Sequence, residues 1–197
     1  MKFMSILFCA MVIIASALLT SSASIAEEKS SKTIPVEKTR KYESDKYKFS
    51  IEYPAHWEDQ RAKAPKAELY LLMEPGVTLA PMHIPAYMLL TVSKIKADAE
   101  KAKLADTVKT LKDALKKRSA EIVFADEKET EIDGIAASYF SFSKNAVAKG
   151  ASETQGFYYC MLNGGNTYIL SFSADPSRHD KLVEAADKVC QSLKWLK

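Results

Sequence analysis

Eleven residues, Tyr47-Lys48-Phe49-Ser50-Ile51-Glu52-Tyr53-Pro54-Ala55-His56-Trp57, constrain the fold more than any other stretch of the chain. Phe49, Ile51 and Tyr53 alternate with Lys48, Ser50 and Glu52, the period-two spacing of a strand with one buried face. Pro54 has no N–H to offer a ladder and ends the strand. Trp57 follows closely enough to fold back onto the apolar face as a structural anchor. The segment identifies a fold better than a reaction, and no catalytic signature accompanies it elsewhere in the 197 residues.

The first 26 residues set the destination. Lys2 precedes an apolar run from Phe3 to Leu19, and a small, weakly polar stretch ends in Ser24-Ile25-Ala26 before Glu27-Glu28. That is the layout of a secretory signal peptide, with Ser24 and Ala26 matching the small-x-small rule for cleavage after Ala26, and Ala23 as the other candidate. An apolar run of about 17 residues also sits at the lower limit for spanning a bilayer, so an uncleaved anchor is the competing form. Cys9 lies too early to be a lipid-modified cysteine. The expectation is export to the periplasm or outside the cell, with no stable membrane span after cleavage.

Cleavage would remove one Lys from 28 basic side chains and none of 25 acidic ones, leaving a net charge of +2. Lys and Glu are interleaved, and no concentrated basic face is present to release counterions from a polyanion, so nucleic acid is not an expected partner. Residues 27–45 are rich in Lys, Glu and Ser and read as a flexible tether. Residues 46–197 read as a single domain.

Within that domain, Glu68–Met73 and Tyr87–Ile95 are apolar and suit pleated sheet. Between them, residues 74–86 hold three prolines yet carry Leu79, Met82, His83 and Ile84, where a plain connector would be polar. A loop of this length and composition is the first candidate for partner contact, against the alternative that it caps one end of the core. Leu104, Val108, Leu111 and Leu115 are spaced by four, three and four, which predicts a helix over Asp98–Ser119 with its terminal basic residues on the negative end of the helix dipole. Glu121–Ile132 and Ile135–Ser143 flank Asp133-Gly134, a hairpin signal, and Phe157–Leu162 and Thr167–Ser173 flank Asn163-Gly164-Gly165-Asn166, another. Residues 144–155 form a polar connection and a second candidate contact surface. A last helix begins near Ser177 and carries Leu182, Val183, Ala186, Val189, Cys190 and Leu193 on one stripe. These parts describe an α+β chain: an α/β/α sandwich with a central, mainly antiparallel sheet of about seven strands and two main helices.

The opening strand with Tyr-Pro and a nearby Trp, the helix after the third strand and the Asp-Gly hairpin come in a recognisable order. Tyr168-Ile169-Leu170-Ser171-Phe172-Ser173, followed by a helix closing on Ser192-Leu193-Lys194, completes it. Together they resemble the PsbP-like superfamily over about residues 42–197. That group includes the extrinsic P protein of photosystem II, DcrB-like bacterial envelope proteins and a nuclear Ran-binding branch. The resemblance implies a binding or assembly module without catalysis and offers no catalytic residues to carry over. The short tether lacks the bipartite transit segment of a plant lumenal protein, so a bacterial envelope relative with an unidentified protein or envelope partner fits better.

Three residue sets are candidates for chemistry. Glu127, Glu129, Glu131 and Asp133 alternate along one strand and could approach Ca²⁺, which takes several oxygen ligands. Neighbours on one strand face lie about 6.6 to 7 Å apart, however, so no more than two reach one ion unaided. A solvated sheet face is the plainer account. Cys160 and Cys190 could pair in an oxidising compartment if their Cα atoms come within about 7 Å, against the alternative of two separate buried thiols. His56, His83 and His179 are dispersed and lack metal spacing. No nucleophile elbow, P-loop or dinucleotide fingerprint is present. A hydrolytic or metal-dependent enzyme would therefore need a cleft assembled from distant residues.

Overall fold

The Tyr47–Trp57 segment forms its strand, but in a small second sheet and not in the central one. The computed structural model describes residues 38–76, 84–94, 103–145 and 153–197, all within the compact unit 36–197. In chain order the strands are β1 (Thr39–Ser44), β2 (Phe49–Pro54), β3 (Glu58–Asp59), β4 (Leu69–Leu72), β5 (Tyr87–Lys94), β6 (Ile122–Ile132), β7 (Ile135–Lys144), β8 (Thr154–Asn163), β9 (Asn166–Ala174) and β10 (Lys194–Trp195). Helix α1 (Leu104–Arg118) lies between β5 and β6, and α2 (Pro176–Gln191) precedes β10. The seven-stranded sheet runs β3-β4-β5-β9-β8-β7-β6 and the three-stranded sheet β1-β2-β10, with antiparallel pairing throughout.

Residues 39–44, whose composition reads as tether, form β1, paired with β2 from Thr39↔Pro54 to Ser44↔Phe49. The segment has little apolar content, so its stability comes from the ladder and from two side chains: Ser44 is buried, and Tyr42 packs against the core. A polar composition hides a strand whose neighbours supply the burial.

Alternation along β8 shows how the layers form. Phe157, Tyr159 and Met161 point into a large core shared with Phe49, Ile51, Tyr53, Trp57, Leu170, Phe172 and, from α2, Ala186, Val189 and Cys190. Cys160 joins Phe140 and Val108 of α1 in a smaller core, with Tyr158, Phe124, Leu104, Leu111 and Leu115 packed around it. Helix α1 thus covers one face of the large sheet, and α2 with the small sheet covers the other. Trp57 is 2% exposed and anchors β2 in the large core as its position predicts.

Local chemistry sets the ends of these elements. Asp133 (φ 49°) and Gly134 (φ 80°) both adopt positive φ, which the tight β6–β7 turn demands and which Asp and Gly tolerate better than most residues. Asp175 caps α2 by accepting the Ser177 N–H at 3.0 Å, and Pro176 takes the first helical position, where its missing N–H costs nothing.

Gly156 in β8 meets the tightest packing. A Cβ there would lie 1.9 Å from the backbone oxygen of Phe172 and 2.9 Å from the Phe142 ring. The strand ladder to β9 must spread to accept it, so Gly156→Ala is expected to lower stability by roughly 1–3 kcal/mol or more in urea unfolding. An unchanged midpoint would show that β8 and β9 can separate at no cost.

Candidate functional site

Helix α2 does not seal fully against the small sheet. Between them lies a groove of about 380 Å³, lined by Thr39, Glu52, Tyr53, Pro54, Lys181, Glu184, Ala185, Lys188, Val189 and Ser192. Its volume falls at the lower end of the range typical of ligand pockets. Tyr53 and Val189, both buried, make an apolar floor with Pro54 and the short Ala185, whereas Lys181, Glu184, Lys188 and Glu52 form an exposed rim. One end is fixed by Ser192. Its Oγ accepts the Glu52 N–H at 2.9 Å, and its single proton lies between the carbonyls of Glu52 (2.9 Å) and Val189 (2.7 Å). This hydroxyl ties the end of α2 to β2 across 140 residues of sequence.

On the rim, Lys188 and Glu184 pair at 2.7 Å, one helical turn apart. The hydrogen bond, then the opposite charge, raises the Lys188 pKa and lowers that of Glu184. Both are fully solvated, so the pair shapes the rim more than it stabilises the fold. Lys181 and Glu52 add one charge of each sign, and the groove presents an apolar floor between polar walls without net charge. Such a surface suits an extended polypeptide or an amphipathic ligand better than a small anion.

Three further polar clusters tie layers together. Glu68 Oε1 accepts the hydroxyls of Tyr42 and Ser44, each at 2.7 Å, joining β1 to the approach of β4. Burial and then the bond to Glu68 push the Tyr42 pKa up to about 12. Tyr159 donates to Asp187 and accepts from Gln191 Nε2 at 3.1 Å, and burial followed by the bond to Asp187 raises its pKa far above the usual tyrosine range. Asp133 accepts the Trp195 N–H at 2.8 Å and pairs with Lys194 at 2.9 Å.

The sequence-predicted site residues are placed as follows. Of the contact loop, Leu79, Met82 and His83 lie outside the described residues, and Ile84 is half-buried. Most of the 144–155 connection lies outside them as well. The four carboxylates do not act as a set. A bulge between Ala125 and Lys128 takes in Glu127, which pairs with Lys112 of α1, and Asp133 turns to β10. Among the described residues no three His, Cys, Asp or Glu side chains are grouped to hold a metal ion. Of the two alternatives for Cys160 and Cys190, the structure shows two separate buried thiols without a bridge, Cys160 in the smaller core under α1 and Cys190 on α2 in the larger one. His179 stacks on Phe172 at 5.6 Å and meets Asp180 at 3.1 Å, while His56 packs edge-on to Trp57. Sequence reasoning missed the groove. Its lining comes from three separated elements, and the only local signal was the small Ala185 beside the charged Lys181, Glu184 and Lys188.

No protein-family model matches the chain, and no curated protein matches it by sequence. Solved structures do. The cyanobacterial PsbP of Synechocystis aligns with a TM-score of 0.59 at 14% identity, over 83% of this chain and 95% of its own. LpqN of Mycobacterium tuberculosis, a protein involved in cell envelope biogenesis, aligns at 0.56 with 13% identity, over 82% and 92%. The Ran-binding protein Mog1p of Saccharomyces cerevisiae aligns at 0.52 with 7% identity, over 82% and 97%. The chain has the PsbP-like fold.

Two measurements check these contacts. Burial pushes the Cys160 thiol up to about 11 and raises that of Cys190 well above the ordinary thiol value, so neither is expected to be alkylated by iodoacetamide until the protein unfolds. Rapid native labelling at either position would refute the packing. The Trp195 N–H and then Lys194 hold the Asp133 carboxyl below its ordinary value. A lowered folded pKa stabilises fully above the unfolded value of about 3.9 and is lost as pH falls through the folded one. Asp133→Asn should therefore unfold with a shallower acid dependence below about pH 4 than the wild type.

Proposed function

We propose that this chain is an exported, non-catalytic binding or assembly module of the bacterial envelope, which holds a protein partner or envelope component in the groove between α2 and the β1–β2 pair. The groove carries the proposal: it has an apolar floor, a rim of both charge signs and a volume of about 380 Å³. The clusters around Glu68, Asp187 and Asp133 are committed to joining elements. The leader-like sequence before Glu27 supports export. Among proteins of the same fold, LpqN is described as involved in cell envelope biogenesis and Mog1p as Ran-binding, so the framework is compatible with recognition roles.

Two experiments test the two halves of the proposal. Cell fractionation should recover the protein in the envelope fraction or medium, with an N-terminal sequence beginning at Glu27; a cytoplasmic protein that keeps Met1 or starts at Lys2 would refute export. A photo-crosslinking residue in place of Lys181 should give a discrete adduct in intact cells, and adding Ala185→Arg, which fills the groove, should abolish it without changing thermal unfolding. Equal adducts from a crosslinker at Lys109, on α1, would refute the groove.

A further inference from the structure

The seven-stranded sheet ends in two unlike edges. One is β3, two residues long, and the other is β6, eleven residues long and, among the described residues, paired only with β7. A strand in that position presents every second N–H and C=O to solvent, and proteins ordinarily blunt such edges with very short strands, prolines, β-bulges or charged side chains, lysine above all. β6 contains no proline, and its one lysine does not guard the edge. Lys128 lays its ammonium over the Tyr139 ring, 4.6 Å from the centroid, back across the sheet. The bulge at Asp126 (φ 50°) distorts only the first part of the strand. Beyond it, Lys128–Ile132 pairs without interruption with Tyr139–Ile135, an edge of about 17 Å at about 3.4 Å per residue that no other described strand pairs with.

The charge on this edge is specific in spacing. Glu129 and Glu131 stand opposite Ser138 and Ala136 on the face turned to α1, both are exposed, and neither makes an ion pair among the described residues. Glu127, which precedes them, is neutralised by Lys112. Two unpaired carboxylates two residues apart, beside open backbone donors and acceptors, match a strand that carries cations at the same period. Between them Thr130 faces the other side, where β-branched residues pack well against a pleated surface. Val123, 57% exposed and ahead of the bulge, adds an apolar contact at the far end.

We propose that the β6 edge docks an extended, basic segment of a partner protein, with Lys or Arg at alternate positions, as an eighth strand of the large sheet. Main-chain hydrogen bonds supply the binding, and Glu129 and Glu131 set the register. This surface is separate from the α2 groove, so the proposal stands or falls independently of what the groove binds.

The test uses a blocked seven-residue peptide alternating Lys and Val, and the same peptide with N-methyl groups on alternate residues, which keeps the charge and removes the pairing N–H groups. The parent peptide should slow amide hydrogen exchange at residues 127–132, and Glu129→Lys with Glu131→Lys should weaken its binding at least about tenfold (about 1.4 kcal/mol). Glu121→Lys, a charge change just before the strand, should not. Equal binding of the N-methylated peptide would overturn the proposal by reducing it to bulk charge attraction. So would peptide binding without added protection at 127–132. A third outcome would assign the edge to a second copy of the chain, since β1 is also an edge strand with Lys38 and Arg40 at strand spacing. In that case analytical ultracentrifugation would show self-association lost in the double variant, with no peptide binding.

Discussion

The whole domain depends on burying one face of β2. Phe49, Ile51 and Tyr53 are each at most 7% exposed, yet the sheet that contains them has three strands, one of them only two residues long. A sheet that small cannot exclude water from its own apolar face, so it must lie against another layer. It packs on the large sheet and α2, and Trp57, Leu71, Leu170 and Val189 complete the joint core. The requirement reaches across the chain, because β10 and α2 come from its last residues while β1 and β2 come from the first described ones. The core cannot close until both ends of the domain are in place, which makes its assembly dependent on non-local contacts.

Polar groups reinforce that joint at the few places where apolar packing cannot reach. Ser192 joins α2 to β2, Glu68 joins β1 to the approach of β4, Asp133 joins the β6–β7 turn to β10, and Arg178 of α2 pairs with Glu74 at 2.7 Å. Each spans elements distant in sequence. The exposed pairs add little free energy on their own. Their effect is to fix the angle at which elements meet, and the α2 groove is a consequence of one of them: Ser192 holds the end of the helix on β2, and Ala185 leaves the space beside it unfilled.

Much of the fold was legible because local and global signals agreed. The strand of Phe49–Pro54, the Asp133-Gly134 and Asn163-Gly164-Gly165-Asn166 hairpins and both helices follow from period and turn chemistry, and Trp57 is buried as its position suggests. Two features were not legible. β1 carries too few apolar residues to announce itself, and membership of β2 in a separate sheet depends on pairing with Lys194 and Trp195, which no local pattern encodes. The site was harder still. Regular alternation of Glu127, Glu129, Glu131 and Asp133 gave no hint that the Asp126 bulge, Lys112 and Trp195 divide them, and Cys160 and Cys190 both look core-facing because each faces a core, though not the same one.

Identities of 7% to 14% with proteins of the same fold mean that the framework is retained while few side chains are. In this chain that framework is a two-sheet arrangement with helices on both faces, a mechanical property of the backbone ladder and the joint core. Under the proposed function, recognition falls to side chains that the framework does not use. In this chain the buried positions and the tying groups are excluded by their structural work, which leaves the α2 groove rim and the β6 edge among the described residues. Both combine open or apolar contact area with a small number of placed charges, so a partner would be selected by the spacing of its own charges along an extended backbone more than by fit to a deep cavity.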